Sequence, residues 1–151
     1  MKSHDVSNSD DIIDSRDIIA RLDELDTELR DAYERYTDTA DEDEETTRTI
    51  LPYEEWLDSE DNTEQDTTEE YKALKSFADE AEGYASDWKY GAALIRDSYF
   101  EEYAEQFADD IGAVNKDANW PTNHIDWKAA AEDLQQDYNA VEFDGVTYWV
   151  R

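Results

Sequence analysis

The stretch Val141–Arg151, VEFDGVTYWVR, decides the fold class. Two runs of β-branched and aromatic residues flank Asp144-Gly145, a dipeptide suited to a two-residue type I′ turn, in which both central residues take positive φ. Pairing across that turn puts Val141, Phe143, Val146, Tyr148 and Val150 on one face and Glu142, Thr147 and Trp149 on the other. The first face is wholly apolar, so the hairpin is expected to pack on helices. A one-residue slip would send that whole face to solvent.

Upstream, Ser98–Gly112 reads SYFEEYAEQFADDIG. Tyr99, Phe100, Tyr103, Ala104, Phe107, Ala108 and Ile111 follow the spacing of a helix lying on a core. Ser98 is a candidate cap, and Gly112 sits where a left-handed residue would end the helix. Ala92–Ile95 reads as a short strand ahead of it. A loop follows through Trp120 and Pro121. Asp126 is then expected to cap a helix with Trp127, Ala130, Ala131 and Leu134 inward.

The N-terminal half is read as helical. Residues 1–14 are polar and expected to be flexible. Ile18, Leu22, Leu25, Leu29, Ala32 and Tyr36 step by fours and threes, the seam of a helical hairpin. An acidic, Thr-rich loop is expected over 37–68, contributing little to the core and most mobile around Asp41–Glu45. Within it Pro52 starts a short helix through Tyr53, Trp56 and Leu57. Thr67 and Glu70 match a capping box ahead of a helix running to Glu82, with Tyr71, Leu74, Phe77, Ala78 and Ala81 inward. The expected organisation is therefore a helical segment over 15–83 and an α/β domain over 84–151. The fold class is α+β, predominantly helical, with C-terminal helices packed on a small antiparallel sheet.

The 151 residues include 43 acidic and 13 basic ones, a formal charge of -30. A charge of that size repels nucleic acid and anionic membranes and attracts basic partners. Aromatics make up 13% of the chain and recur at helical spacing, which argues for a folded protein over a disordered tail. There is no cysteine, so disulfides and Cys-type metal sites are excluded. No apolar run approaches a membrane span and the N-terminus has no signal-peptide core, so a cytoplasmic protein is expected.

Catalytic chemistry finds little support. His4 and His124 are the two histidines, and there is no Gly-rich phosphate loop or nucleophile elbow. Next to Asp126, His124 reads as a loop histidine. Asp58, Glu60, Asn62, Glu64, Asp66 and Glu69 fall on the ligand positions of an EF-hand loop, but Thr63 stands where the turn needs Gly and Glu60 is too long for its position. No specific metal site and no cofactor are expected, and the chain is read as a non-enzyme. Trp120 and Trp149 are candidate interface anchors.

The carboxylates carry the functional reading. Glu101, Glu102, Glu105, Asp109 and Asp110 crowd one helix without a Lys or Arg, roughly one charge every 3 Å along its axis. Like charges four apart oppose folding, so the field itself requires an explanation. Duplex DNA shows one negative charge per roughly 3.4 Å along each strand. A rigid acidic surface can therefore compete for a groove that reads phosphates through Lys and Arg. Glu132 and Asp133 on the next helix, and Asp23, Glu24 and Asp31 on the N-terminal helix, complete the candidate partner-binding set. The rival reading is a surface made acidic by adaptation to high salt.

Three pieces, LIRDSYFEEYAEQFADDIG, NHIDWKAAAEDLQQDY and VEFDGVTYWVR, resemble the C-terminal part of the ArdA-type antirestriction proteins. The resemblance spans residues 84–151. It implies helices on a small antiparallel sheet. It also implies a DNA mimic, carried by a phage or mobile element, that occupies the DNA-binding groove of a type I restriction-modification enzyme in the host cytoplasm. A CRISPR effector is an alternative target, and a homodimer is an allowed arrangement. The N-terminal half does not match that family.

Overall fold

The computed structural model describes residues 5–41, 49–115, 117 and 119–151, with the side chains of 39–41 left aside. The predominantly helical α+β fold expected from the sequence is the one observed. Strand β1 (Ile12–Asp14) leads into the long helix α1 (Ser15–Asp41). Helices α2 (Tyr53–Leu57), α3 (Gln65–Glu82) and α4 (Trp88–Gly91) follow. Then come strand β2 (Ala93–Arg96), helices α5 (Phe100–Asp110) and α6 (Trp127–Gln135), and strands β3 (Asn139–Phe143) and β4 (Val146–Val150).

The four strands form one antiparallel sheet in the order β1-β2-β4-β3. Its anchor is the β3–β4 hairpin, in the expected register, with Phe143 opposite Val146 and Val141 opposite Tyr148. Asp144 (φ 48°) and Gly145 (φ 80°) both take the left-handed conformation that the turn requires.

Helices cover both faces of this sheet. Successive strand residues point to opposite sides. Leu94 and Tyr148 therefore join Ile18, Leu25, Leu74 and Phe77 of α1 and α3, while Ile95 and Trp149 join Phe100, Ala104 and Ala131 of α5 and α6. Phe77 stacks on Phe143 with ring centroids 4.8 Å apart. The seam expected on α1 is the buried one: Ile18, Leu25, Leu29, Ala32 and Tyr36 all face inward. Burying each large apolar side chain contributes about 1.5–3 kcal/mol.

Several expectations need correction. Residues 1–14 were expected to be flexible, yet Ile12, Ile13 and Asp14 pair with Ile95, Leu94 and Ala93. The Tyr148 hydroxyl donates to the Asp10 carbonyl (2.6 Å) and Arg96 Nε donates to the Asn8 carbonyl (2.9 Å). Buried Ser15 donates its hydroxyl to Trp88 O (2.6 Å) and accepts from Ala92 N–H (2.7 Å), locking the start of α1 to the start of β2. Met1–His4 lie outside the described residues.

The expected loop 37–68 is also more structured than its composition suggested. Helix α1 continues to Asp41, and Trp56 of α2, only 1% exposed, packs with Ala32, Tyr36 and Tyr33 in a satellite core. That segment therefore does contribute to the core. Most of the Asp41–Glu45 stretch falls outside the described residues. The capping box at Thr67 does not form, because α3 begins earlier, at Gln65. Buried Asn62 organises that start instead, accepting from Glu64 N–H (2.8 Å) and donating to Leu57 O (3.0 Å) and Thr68 Oγ1 (2.7 Å). Residue 83 is no boundary of packing either, since one core joins α1 and α3 to β2, β3 and β4. Among the described residues, no helix is long and apolar enough to cross a membrane.

Candidate acidic interface

Helix α5 sits on the sheet through its rings. Phe100 meets Tyr138 edge-on at 5.2 Å and lies 6.1 Å from Trp149. The hydroxyls of Tyr103 and Tyr138 are 3.0 Å apart. The guanidinium of Arg151 lies 5.1 Å above the Tyr138 ring. Burial pushes the Tyr138 phenol well above its ordinary range, and the bond with Tyr103 adds to this. These contacts fix α5 to one wall of the sheet, and Ala131 and Leu134 seat α6 on the same cluster.

The helix ends follow their sequence signals in part. Ser98 does not cap α5; residues 97–99 form a turn of 3-10 helix instead. At the other end Gly112 takes φ 77°. Its N–H bonds Asp109 O (3.0 Å) and the Ala113 N–H bonds Ala108 O (2.9 Å), which is a Schellman ending. Asp126 caps α6 as expected, accepting from Ala129 N–H at 3.1 Å. Ala131 is the buried residue of α6, whereas Ala130, expected inward, is exposed.

The carboxylates face outward. Glu101, Glu102 and Asp110 are exposed, Glu105 and Asp109 half-buried, and Glu132 and Asp133 on α6 exposed. Among the described residues none of these seven forms an ion pair or a side-chain hydrogen bond. Glu101 and Glu102 lie in the first turn of α5, where the helix dipole favours them. Asp109 and Asp110 lie in the last turn, with no basic residue to offset them, where each is unfavourable by about 0.3–1 kcal/mol. The helix keeps two charges there that its own stability does not want.

Between α5 and α6 runs a shallow groove of about 210 Å³, with Glu101 and Glu132 on its walls and Phe100 on its floor. Asp97 and Lys128 also border it, and neither had been singled out from the sequence. Asp97 stands four residues before Glu101, so the helical spacing that grouped the other acids would have found it. Its Oδ1 accepts from Trp149 Nε1 at 2.9 Å. That bond corrects the reading of Trp149 as an outer anchor: the ring packs on the α5/α6 side of the sheet. Trp120 is 75% exposed.

The ten candidate residues do not form one site. Seven lie on α5 and α6. Asp23, Glu24 and Asp31 lie on α1, across the sheet. Glu24 is bonded to Arg21 at 3.0 Å. The EF-hand-like stretch is a protein-bonded turn, with Asn62 committed to three partners and Asp58 paired with Lys72. Among the described residues no group of three or more His, Cys, Asp or Glu is placed to hold a metal ion. His124 is exposed in a short 3-10 turn, and His4 lies outside the described residues. No known protein family, curated protein or solved structure matches the chain.

Proposed function

We propose that this protein acts by binding and not by catalysis, as a DNA mimic whose α5/α6 face occupies the basic groove of a host defence nuclease. The observation that carries this reading is the set of seven outward carboxylates, without an ion pair among the described residues, on two touching helices held by an aromatic core. A groove that reads phosphates gains affinity from charge and counterion release, whatever molecule presents the charges. The sequence resemblance of residues 84–151 to ArdA-type antirestriction proteins makes a type I restriction-modification enzyme the first target to test. A CRISPR effector presents a basic channel of the same kind and is the second. The host cytoplasm is the compartment this reading requires.

The test is competition between this protein and a labelled duplex for a purified type I restriction-modification enzyme. Displacement of the duplex that weakens as salt rises is the expected result. Binding without displacement would overturn the mimic reading. Displacement from a CRISPR effector alone would reassign the target.

Adaptation to high salt is the rival, and one observation favours it: Asp23 and Asp31 on the other layer have no ion pair among the described residues either. A salt-adapted chain loses its fold at low ionic strength, where self-repulsion is unscreened. A mimic keeps it. Thermal melts at low and high salt separate the two.

A further inference from the structure

A second groove, of about 640 Å³, lies on the opposite side of the sheet, between α1 and α3 with α4 at one end. Its floor is apolar, formed by Ile19 and Leu22 of α1 and by Tyr71 and Ala78 of α3. Ile19 is 40% exposed, although it lies beside the buried seam residue Ile18. Along α3 the lining residues Tyr71, Lys75, Ala78 and Glu82 step by fours and threes, so they form one straight stripe of about 16 Å. A trough of that length between two helices, with apolar residues on its floor and charged ones along its walls, fits a third helix of about three turns.

Charge decides what kind of helix. Asp23 on the α1 bank and Glu82 on the α3 bank are exposed carboxylates that have no bonded partner among the described residues, and both line the groove. Two further acids of the rim are already neutralised, Asp79 by Lys75 at 3.0 Å and Asp26 by Arg30 at 3.2 Å. Lys89 of α4 also borders the groove, so four carboxylates line it against two ammonium groups and the lining keeps a net negative charge. A second copy of this chain would bring another -30 against it, and an anionic lipid surface would be repelled in the same way.

We infer that the α1/α3 groove docks an amphipathic basic helix of a protein partner. Apolar residues at i, i+3 or i+4, and i+7 of that helix seat on Ile19, Leu22, Tyr71 and Ala78. Flanking Lys or Arg side chains meet Asp23 and Glu82. The site is separate from α5 and α6, and the inference does not rest on the DNA-mimic reading.

The probe is a fluorescein-labelled Leu/Lys peptide of about 15 residues, long enough to form an isolated helix, with 3.6-residue periodicity. Its control is a scrambled isomer of the same composition, because any cationic peptide is attracted to this surface. Fluorescence anisotropy should show the periodic peptide binding at least about tenfold more tightly than its isomer. Amide chemical shifts should move along Ile19–Asp26 and Tyr71–Glu82. Ile19→Ser should cost about threefold to tenfold in affinity, since an exposed methyl-rich contact is removed without touching the core. Ile12→Ser, at an exposed isoleucine on the other face of the sheet, should cost nothing, and the preference between isomers should survive the amide changes on α5. Equal binding of both isomers, with shifts spread over the acidic surface, would overturn the inference. So would a wild-type dimer that Ile19→Ser converts to monomer, because the occupant would then be a second copy.

Discussion

Both helical layers carry an excess of acid, and they manage it differently. On the α1/α3 side, cations interrupt the carboxylates. Arg21 bonds Glu24 and Glu70, Arg30 bonds Asp26, and Lys75 bonds Asp79. Each guanidinium or ammonium holds its proton more firmly for that contact. On the α5/α6 side Lys128 is the sole Lys or Arg in either helix, and the seven carboxylates form no ion pair among the described residues. Exposed pairs contribute little to stability, about 0–1 kcal/mol each. What they change is the field: on one layer some carboxylates are screened by neighbouring cations, whereas the other layer projects its charge into solvent. Net charge alone does not reveal that difference.

The layers also differ in how they are held. The α1/α3 core joins two long helices to all four strands, whereas the α5/α6 core is a smaller set around Phe100. The largest expected effect probes this. Phe77→Ala should cost about 3–5 kcal/mol and remove amide protection from α1, α3 and the strands together. Phe100→Ala should cost about 3 kcal/mol and expose α5 and α6 first, with the strands still protected. Identical loss of protection throughout the molecule in both variants would show that the layers unfold as one unit, and the contrast in anchoring would fail.

Next in size is the functional contrast. Glu101, Glu102, Glu105, Asp109 and Asp110, changed together to their amides, should weaken displacement of duplex DNA at least about tenfold, because five individually small contacts add. Circular dichroism should show α5 intact, since like-charge repulsion is relieved. Asp23→Asn with Asp31→Asn should change displacement by less than about twofold. Equal effects of the two sets would place the active field on the whole surface and not on α5/α6.

A smaller effect is expected at the cap that starts α6. Asp126→Ala removes the acceptor for Ala129 N–H and should cost about 1 kcal/mol, read as a lower melting temperature. Asp126→Asn keeps an acceptor and should recover most of it. No recovery would mean that the carboxylate's charge, and not its cap, is what α6 uses.

The smallest effect at neutral pH, and the one that treats both layers alike, concerns buried tyrosine. Burial raises the Tyr148 phenol to about 12, against an ordinary value of 10.0. Tyr138 is raised by burial as well. Because the native state favours the neutral phenols, their contribution to stability is complete below pH 10 and is lost as pH rises through 10 towards 12. An alkaline absorbance titration should show these two ionising only as the chain unfolds. Ionisation of all ten tyrosines in one step near pH 10, with the fold retained, would contradict the burial described for both cores.

Much of this architecture was legible in the chain because its signals are local. The Asp144-Gly145 turn, the α1 seam, Gly112 at the end of α5 and Asp126 at the start of α6 each depend on a few neighbouring residues. What escaped depends on distant partners. Ile12–Asp14 is too short and polar to announce a strand, and becomes one by pairing with β2. Trp149 alternates away from the apolar hairpin face, so it read as exposed until α5 and α6 were placed over it. Trp56 lay in an acidic stretch whose composition hid an aromatic cluster with Tyr33, Tyr36 and Tyr53. At Thr67 a good local motif lost to Asn62, which satisfies the chain ahead of α3 from a buried position.

The same division runs through the candidate site. Residue order by itself determined that α5 would carry rings on one side and carboxylates on the other, because 3.6-residue periodicity sorts side chains before any tertiary contact forms. It also determined the total charge. The tertiary structure alone decided which of ten candidate acids share a surface. Side chains on α1 and on α5 are sorted by which face of the sheet their helix covers, and strand residues one apart send those helices to opposite sides. It also decided which carboxylates stay open: a bond such as Arg21 to Glu70 joins residues 49 positions apart in sequence, so only folding brings them within reach.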